Sequence, residues 1–167
     1  LMVTKMIRKK IFYLINNESD MTKYLLNKNS KNYNTKRNYI LTNNIDWNKI
    51  NKNFYNSIES FEGIFDGNNF KIKNIKINSN YQDKYIGFFD LINNSTIKNL
   101  KLHFNTKIKG DSKVGAFAGI IINSKLLNIQ VNGNVNIETV SGETLGFLCG
   151  EMKESHVDNF NIDLENS

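Results

Sequence analysis

Apolar and polar positions alternate along most of this chain with a period of two. Around Asn74, residues Phe70, Ile72, Ile75 and Ile77 fall on one side and Lys71 and Lys76 on the other, which is the pattern of a half-buried strand. An amphipathic helix would repeat its apolar residues at three and four, and the run through Ile72, Ile75, Ile77 and Leu100, Leu102 does not sustain that spacing. Asn74 interrupts the alternation with one extra residue. Asparagine tolerates the left-handed backbone that a tight corner between two strands requires.

The same block recurs. Gly63-Ile64-Phe65-Asp66, Gly87-Phe88-Phe89-Asp90, Gly115-Ala116-Phe117-Ala118 and Gly146-Phe147-Leu148-Cys149 each precede an asparagine flanked by apolar residues, at Asn74, Asn99, Asn128 and Asn159. Those asparagines lie 25, 29 and 31 residues apart, the spacing of a solenoid whose every coil buries its apolar face against the next. The pattern predicts a column of four asparagines, hydrogen-bonded amide to amide. It also predicts a second corner at the four glycines and an interior stack of Phe65, Phe89, Phe117 and Leu148.

These residues resemble the GLUG-type repeats of bacterial β-helix proteins. Tyr39 to Trp47 look like the lead-in, Phe61 to Ile72 like a first unit, and the likeness extends to about Ile162. The resemblance implies an all-β, right-handed parallel β-helix of four to five coils, and it implies large surface-attached proteins as the usual setting. It is a likeness of scaffold rather than of site.

Residues 1 to 38 break the repeat. Lys10 to Ile15 read as a strand, and Ser19 or Asp20 as the cap of a short helix through Met21, Tyr24, Leu25 and Leu26. A stacked fold needs its ends covered, so this strand and helix are expected to cap the repeats of residues 39 to 167. Asn27 to Arg37 read as a mobile basic loop. At the other end Val157 to Leu164 read as a last strand with no cover. Phe160, Ile162 and Leu164 are then the candidate edge contacts, for a homodimer or another partner.

Charge sorts along the same axis. Residues 1–54 carry a balance of +8, residues 55–137 +4 and residues 138–167 −6, within a net +6. Lys28, Lys31, Tyr33, Lys36 and Arg37 interleave cations with rings and are the candidate partner-binding residues, for an acidic protein surface or for nucleic acid. Arginine occurs only at Arg8 and Arg37, and no nucleic-acid motif is present.

Proline is absent and asparagine abundant, a bias that makes the sequons at Asn17, Asn93 and Asn94 unremarkable. Ile11 to Ile15 is too short for a signal core, and no run approaches the roughly 18 apolar residues of a membrane span. An intracellular location is expected on that basis, or the cell surface if the chain belongs to a longer protein. Cys149 is alone and reads as a small residue near a corner.

Candidate chemistry is sparse. His103 and His156 read as surface histidines outside any metal spacing. Asp66 and Asp90 share a register in the repeat and could form a carboxylate column, for calcium or as an acid and base pair, but Ala118 and Cys149 end it. No phosphate loop, nucleophile elbow or zinc spacing occurs, so neither metal nor cofactor is expected. Three readings follow: a non-catalytic docking protein, such as a phage or mobile-element inhibitor of a host defence nuclease; a repeat fragment of a surface adhesin; and, least supported, a polysaccharide-acting enzyme.

Overall fold

The computed structural model describes residues 4–7 and 10–165. It begins with β1 (Thr4–Ile7) and β2 (Lys10–Ile15), a short helix α1 (Glu18–Met21) and a π-helical turn (Thr22–Leu26). The helix is capped by Asn17, whose side chain accepts the Asp20 amide at 2.9 Å. The sequence had pointed to Ser19 or Asp20. Asp20 instead accepts the Asn16 amide at 2.9 Å and pairs with Lys23 at 3.1 Å. Strands β3 (Asn38–Leu41) and β4 (Ile45–Asp46) follow, then two 3-10 turns, Trp47–Lys49 and Lys52–Phe54.

From there the chain winds as a parallel β-solenoid of about five turns in all. The strands are β5 (Ile58–Phe61), β6 (Ile64–Asp66), β7 (Lys71–Ile75), β8 (Tyr85–Ile86), β9 (Phe89–Asn93), β10 (Thr96–Gly110), β11 (Lys113–Gly115), β12 (Ala118–Ile122), β13 (Lys125–Thr139), β14 (Thr144–Gly146), β15 (Cys149–Lys153) and β16 (His156–Glu165). They form three faces. The largest is a nine-stranded sheet ordered β1-β2-β3-β6-β10-β13-β16, with β4 and β7 joined at its side; the others are β15-β12-β9-β5 and β14-β11-β8. Every pairing is parallel except β1 with β2.

Register makes the core. Ile97, Leu126 and Val157 lie over one another, as do Leu100, Ile129 and Phe160, then Leu102, Val131 and Ile162. Within the stack each buried member contributes about 1.5–3 kcal/mol. Rings fill the centre, with Phe89 contacting Phe61 and Phe117 at 5.6 Å between centroids and Phe65 at 6.0 Å. The cap belongs to the same core, since Met21, Tyr24, Leu25 and Leu26 join one continuous apolar cluster with the coils. No helix among the described residues is long and apolar enough to cross a membrane.

Corners form where asparagine was expected to make them, with one coil displaced. Asn74, Asn99, Asn128 and Asn159 all have positive φ, between 53° and 59°. Asn159 donates to the Asn128 side chain at 3.0 Å and Asn128 to Asn99 at 3.0 Å, but Asn99 then donates to Asp66 at 3.3 Å. Asn74 is outside the column. Lys98 pairs with Asp66, so the residue beneath Asn99 is Gly67, where a Cβ would come within 2.3 Å of the Asn99 carbonyl oxygen. The first repeat turns at Gly67, and the left-handed Asn68 and Asn69 follow. Asn74 becomes the extra residue of a bulge, opposite the register shift between Leu102 and Phe104. Its amide donates to His103 Nδ1 at 3.2 Å and its side chain to Asp46 at 3.0 Å.

That displacement corrects three further expectations. Gly63 leaves the glycine column, because Thr96 pairs with Ile64 and so places Gly63 beside Ser95, whereas Gly115 and Gly146 stay paired. Phe65, Phe89, Phe117 and Leu148 do not stack in register: Phe89 pairs with Ile58 and with Ala118, and Ala118 with Cys149. Phe65 reaches Phe89 from across the interior instead. Asp66 and Asp90 therefore stand on different faces and form no carboxylate column.

A second ladder stands at the corner before each long strand. The Ser95, Ser124 and Ser155 hydroxyls accept, each at 3.0 Å, the amides of Gly63, Ser95 and Ser124 from the coil beneath. The residue before each serine, Asn94, Asn123 or Glu154, has positive φ.

Candidate functional site

Each β2 residue from Phe12 to Ile15 lies beside one of β3 from Asn38 to Leu41. Phe12 and Ile15 are buried and the Tyr13 ring packs against Tyr24 and Tyr39, while Ile11 is left exposed near the start of the strand. There Lys10, Ile11 and Tyr13 meet Lys36, Arg37 and Asn38, which lead into β3, and together they line a groove of about 410 Å³. The Arg37 guanidinium lies 4.5 Å from the Tyr13 ring centroid, and its buried Nη1 has no hydrogen-bond partner among the described residues. Ile11 is 47% exposed in the same groove. No carboxylate lines it, and Lys10, Lys36 and Arg37 make no ion pair among the described residues.

The predicted basic patch is therefore divided. Lys36 and Arg37 belong to the groove, joined by Lys10, which sequence spacing placed far from them. Lys28 faces elsewhere and is paired with Glu59. Tyr33 is half-buried, and burial pushes its phenol up to about 12 with help from Glu59 and Asp90. Lys31 is exposed, away from both. The segment carrying them is a chain of turns rather than a loose loop. Asn27, Ser30 and Asn34 side chains accept the amides of Asn29, Asn32 and Lys36, and the Thr35 carbonyl accepts from the Glu62 amide at 2.9 Å.

Lys28 borders a second, smaller cavity of about 180 Å³, walled by Ser57, Glu59, Asn78, Asn80, Asp83 and Asp90 among others. Burial pushes the Asp90 carboxyl up to about 7 against the opposing pull of the Ser57 hydroxyl, and its Oδ1 has no partner among the described residues. Such a group is part protonated at neutral pH. Asp66, its expected companion, instead accepts from Asn99 and from the Asn68 amide at 2.8 Å.

The other candidates fall into structural places. His103 accepts the Asn74 amide, and His156 is exposed at the start of β16. Burial raises the Cys149 thiol to about 11, with Glu151 adding to it, so it stays protonated. No group of three or more His, Cys, Asp or Glu side chains among the described residues could hold a metal ion. At the far end Phe160 and Leu164 are half-buried against the core, with Phe160 perpendicular to Phe117 at 5.1 Å, while Ile162 is 37% exposed.

No protein-family model matches the chain, and no curated protein or solved structure matches it either.

Sequence reasoning missed Lys10 because its link to Lys36 and Arg37 is a strand pairing across the end of the cap. The serine ladder had a signal. Asn94-Ser95, Asn123-Ser124 and Glu154-Ser155 each stand five residues ahead of a column asparagine, counted from the first of the two.

Proposed function

We propose that this chain is a non-catalytic β-solenoid that acts by docking on an acidic protein surface through the groove of Lys10, Ile11, Tyr13, Lys36 and Arg37. The observation that carries the reading is three cations converging on one concavity without a counter-charge among the described residues. Unneutralised charge of one sign steers an opposite partner and raises its rate of encounter. The exposed Ile11 among those cations favours protein over nucleic acid, since a phosphate backbone offers it nothing to bury against. Lys28, Lys31 and Tyr33, placed outside the groove, become peripheral to this surface. A rigid stack suits a phage or mobile-element inhibitor that covers a host nuclease or defence complex.

The test is capture from the native cell by the wild-type chain and by a Lys10→Glu, Lys36→Glu, Arg37→Glu variant of unchanged melting temperature, beside titration with single- and double-stranded DNA. A defined protein partner, lost on charge reversal, supports the reading. Capture indifferent to reversal, or DNA binding with a steep salt dependence, overturns it.

A further inference from the structure

The two terminal strands of the nine-stranded sheet, β1 and β16, are each paired on one side only among the described residues. Their charges are opposite. Lys5 is exposed on β1 and Lys10 is exposed at the start of β2, within the segment of balance +8. Along β16, Asp158, Asp163 and Glu165 are exposed and make no ion pair among the described residues, and Glu154 just before them is likewise free. Other acids of the last coil are already engaged, Glu138 with Lys107, Glu143 with Lys113, and Glu151 with Lys113 and Lys153.

We infer that the chain associates head to tail, the acidic edge of β16 receiving the basic edge of β1 from a second copy. Chain direction agrees. The strands from β2 to β16 all run parallel and β1 alone runs against them, so a second copy stacked in the same orientation presents β1 antiparallel to β16. That gives straight perpendicular hydrogen bonds between the two edges. Two-fold pairing of β16 with β16 would instead set Asp158, Asp163 and Glu165 against one another, and like charges facing across a strand pair are destabilising. The head-to-tail contact also brings cover to the end of the stack where Ile162 is 37% and Leu145 54% exposed. Since β1 has only four residues, the contact is short, weak and sensitive to salt. Because it is heterologous it does not close, and copies add one after another into short rods.

Sedimentation velocity on the full chain tests this. At low ionic strength the weight-average sedimentation coefficient is expected to rise with concentration. Raising salt from about 0.02 to about 0.5 M, which shortens the screening length several-fold, weakens the association by about tenfold or more. An Asp158→Lys, Asp163→Lys variant and a Lys5→Glu variant each stay monomeric with unchanged melting, and mixing the two restores association because each supplies the charge that the other lacks. A wild-type monomer at every concentration overturns the inference. So does association that survives Lys5→Glu, which would place the contact between two copies of β16, and so does a mixture that remains monomeric.

Discussion

At the first coil Met21, Tyr24, Leu25 and Leu26 fold down over the interior and are at most 1% exposed. At the last coil the matching surface is bare: Leu145 is 54% and Val140 63% exposed, and the residues of β14 and β15 are at best half-buried. Both ends face the same physical problem, a coil with apolar side chains and strand edges that have no neighbour beyond among the described residues. One end answers with a helical turn packed from the chain itself, the other with uncompensated carboxylates along its edge. Apolar cover stabilises by burial, whereas charge along an edge adds little to the stability of the coil that carries it, so stability should be graded from the capped end and the middle toward β16.

The largest effect comes from removing the cover. Tyr24→Ala, which empties the cap where its ring meets Tyr39 at 5.6 Å and Tyr13 at 6.1 Å, should cost about 3–4 kcal/mol in chemical denaturation, while Leu145→Ala at the open end should cost under about 1 kcal/mol. Equal losses would erase the contrast.

Asp90 sharpens the comparison from the middle of the stack. Its folded pKa, about 7, stands above the free value of 3.8, so the folded state holds the extra proton between those values. Stability falls as pH rises through that window, because the unfolded chain is free to ionise there while burial keeps the folded carboxyl protonated. Asp90→Asn should therefore stabilise by about 1–3 kcal/mol at pH 8 and by progressively less toward pH 4. A constant difference across that range would show that the carboxyl titrates normally.

Ladder positions should follow the same gradient on a smaller scale. Asn128 both donates to Asn99 and accepts from Asn159, and its φ is 56°, so Asn128→Ala should cost about 1–2 kcal/mol through a lost pair of hydrogen bonds and left-handed strain. Asn159→Ala, with a single neighbouring coil, should cost roughly half as much. Smallest is Lys28→Ala, which breaks an exposed pair with Glu59 and should change the melting midpoint by an amount equivalent to about 0.5 kcal/mol or less.

What the sequence made legible follows the same division. Local alternation and the four asparagines announced strands, coils and left-handed corners, because each is decided by residues close in sequence. The strand Lys10–Ile15 and the helical cap after it were visible for the same reason. The displacement of Asn74 was not, because Gly67 and Asn74 both satisfy a corner locally, and only the pairing of Asp66 with Lys98 decides which of them lies beneath Asn99. The groove was half visible. Lys36 and Arg37 stood out by composition, but Lys10 joins them only through the alignment of β2 beside β3. Asp90 was visible as a residue and not as a buried one, since its desolvation depends on the cavity that Ser57, Glu59 and Asp83 build around it.

Amide hydrogen exchange on the dilute chain tests the graded stack most directly. Slowest exchange is predicted in β10 and β13, held on both sides, with β2 and β3 under the cap next and β14, β15 and β16 fastest. Protection in β16 equal to that in β10, or a cap that opens before the last coil, would contradict the account.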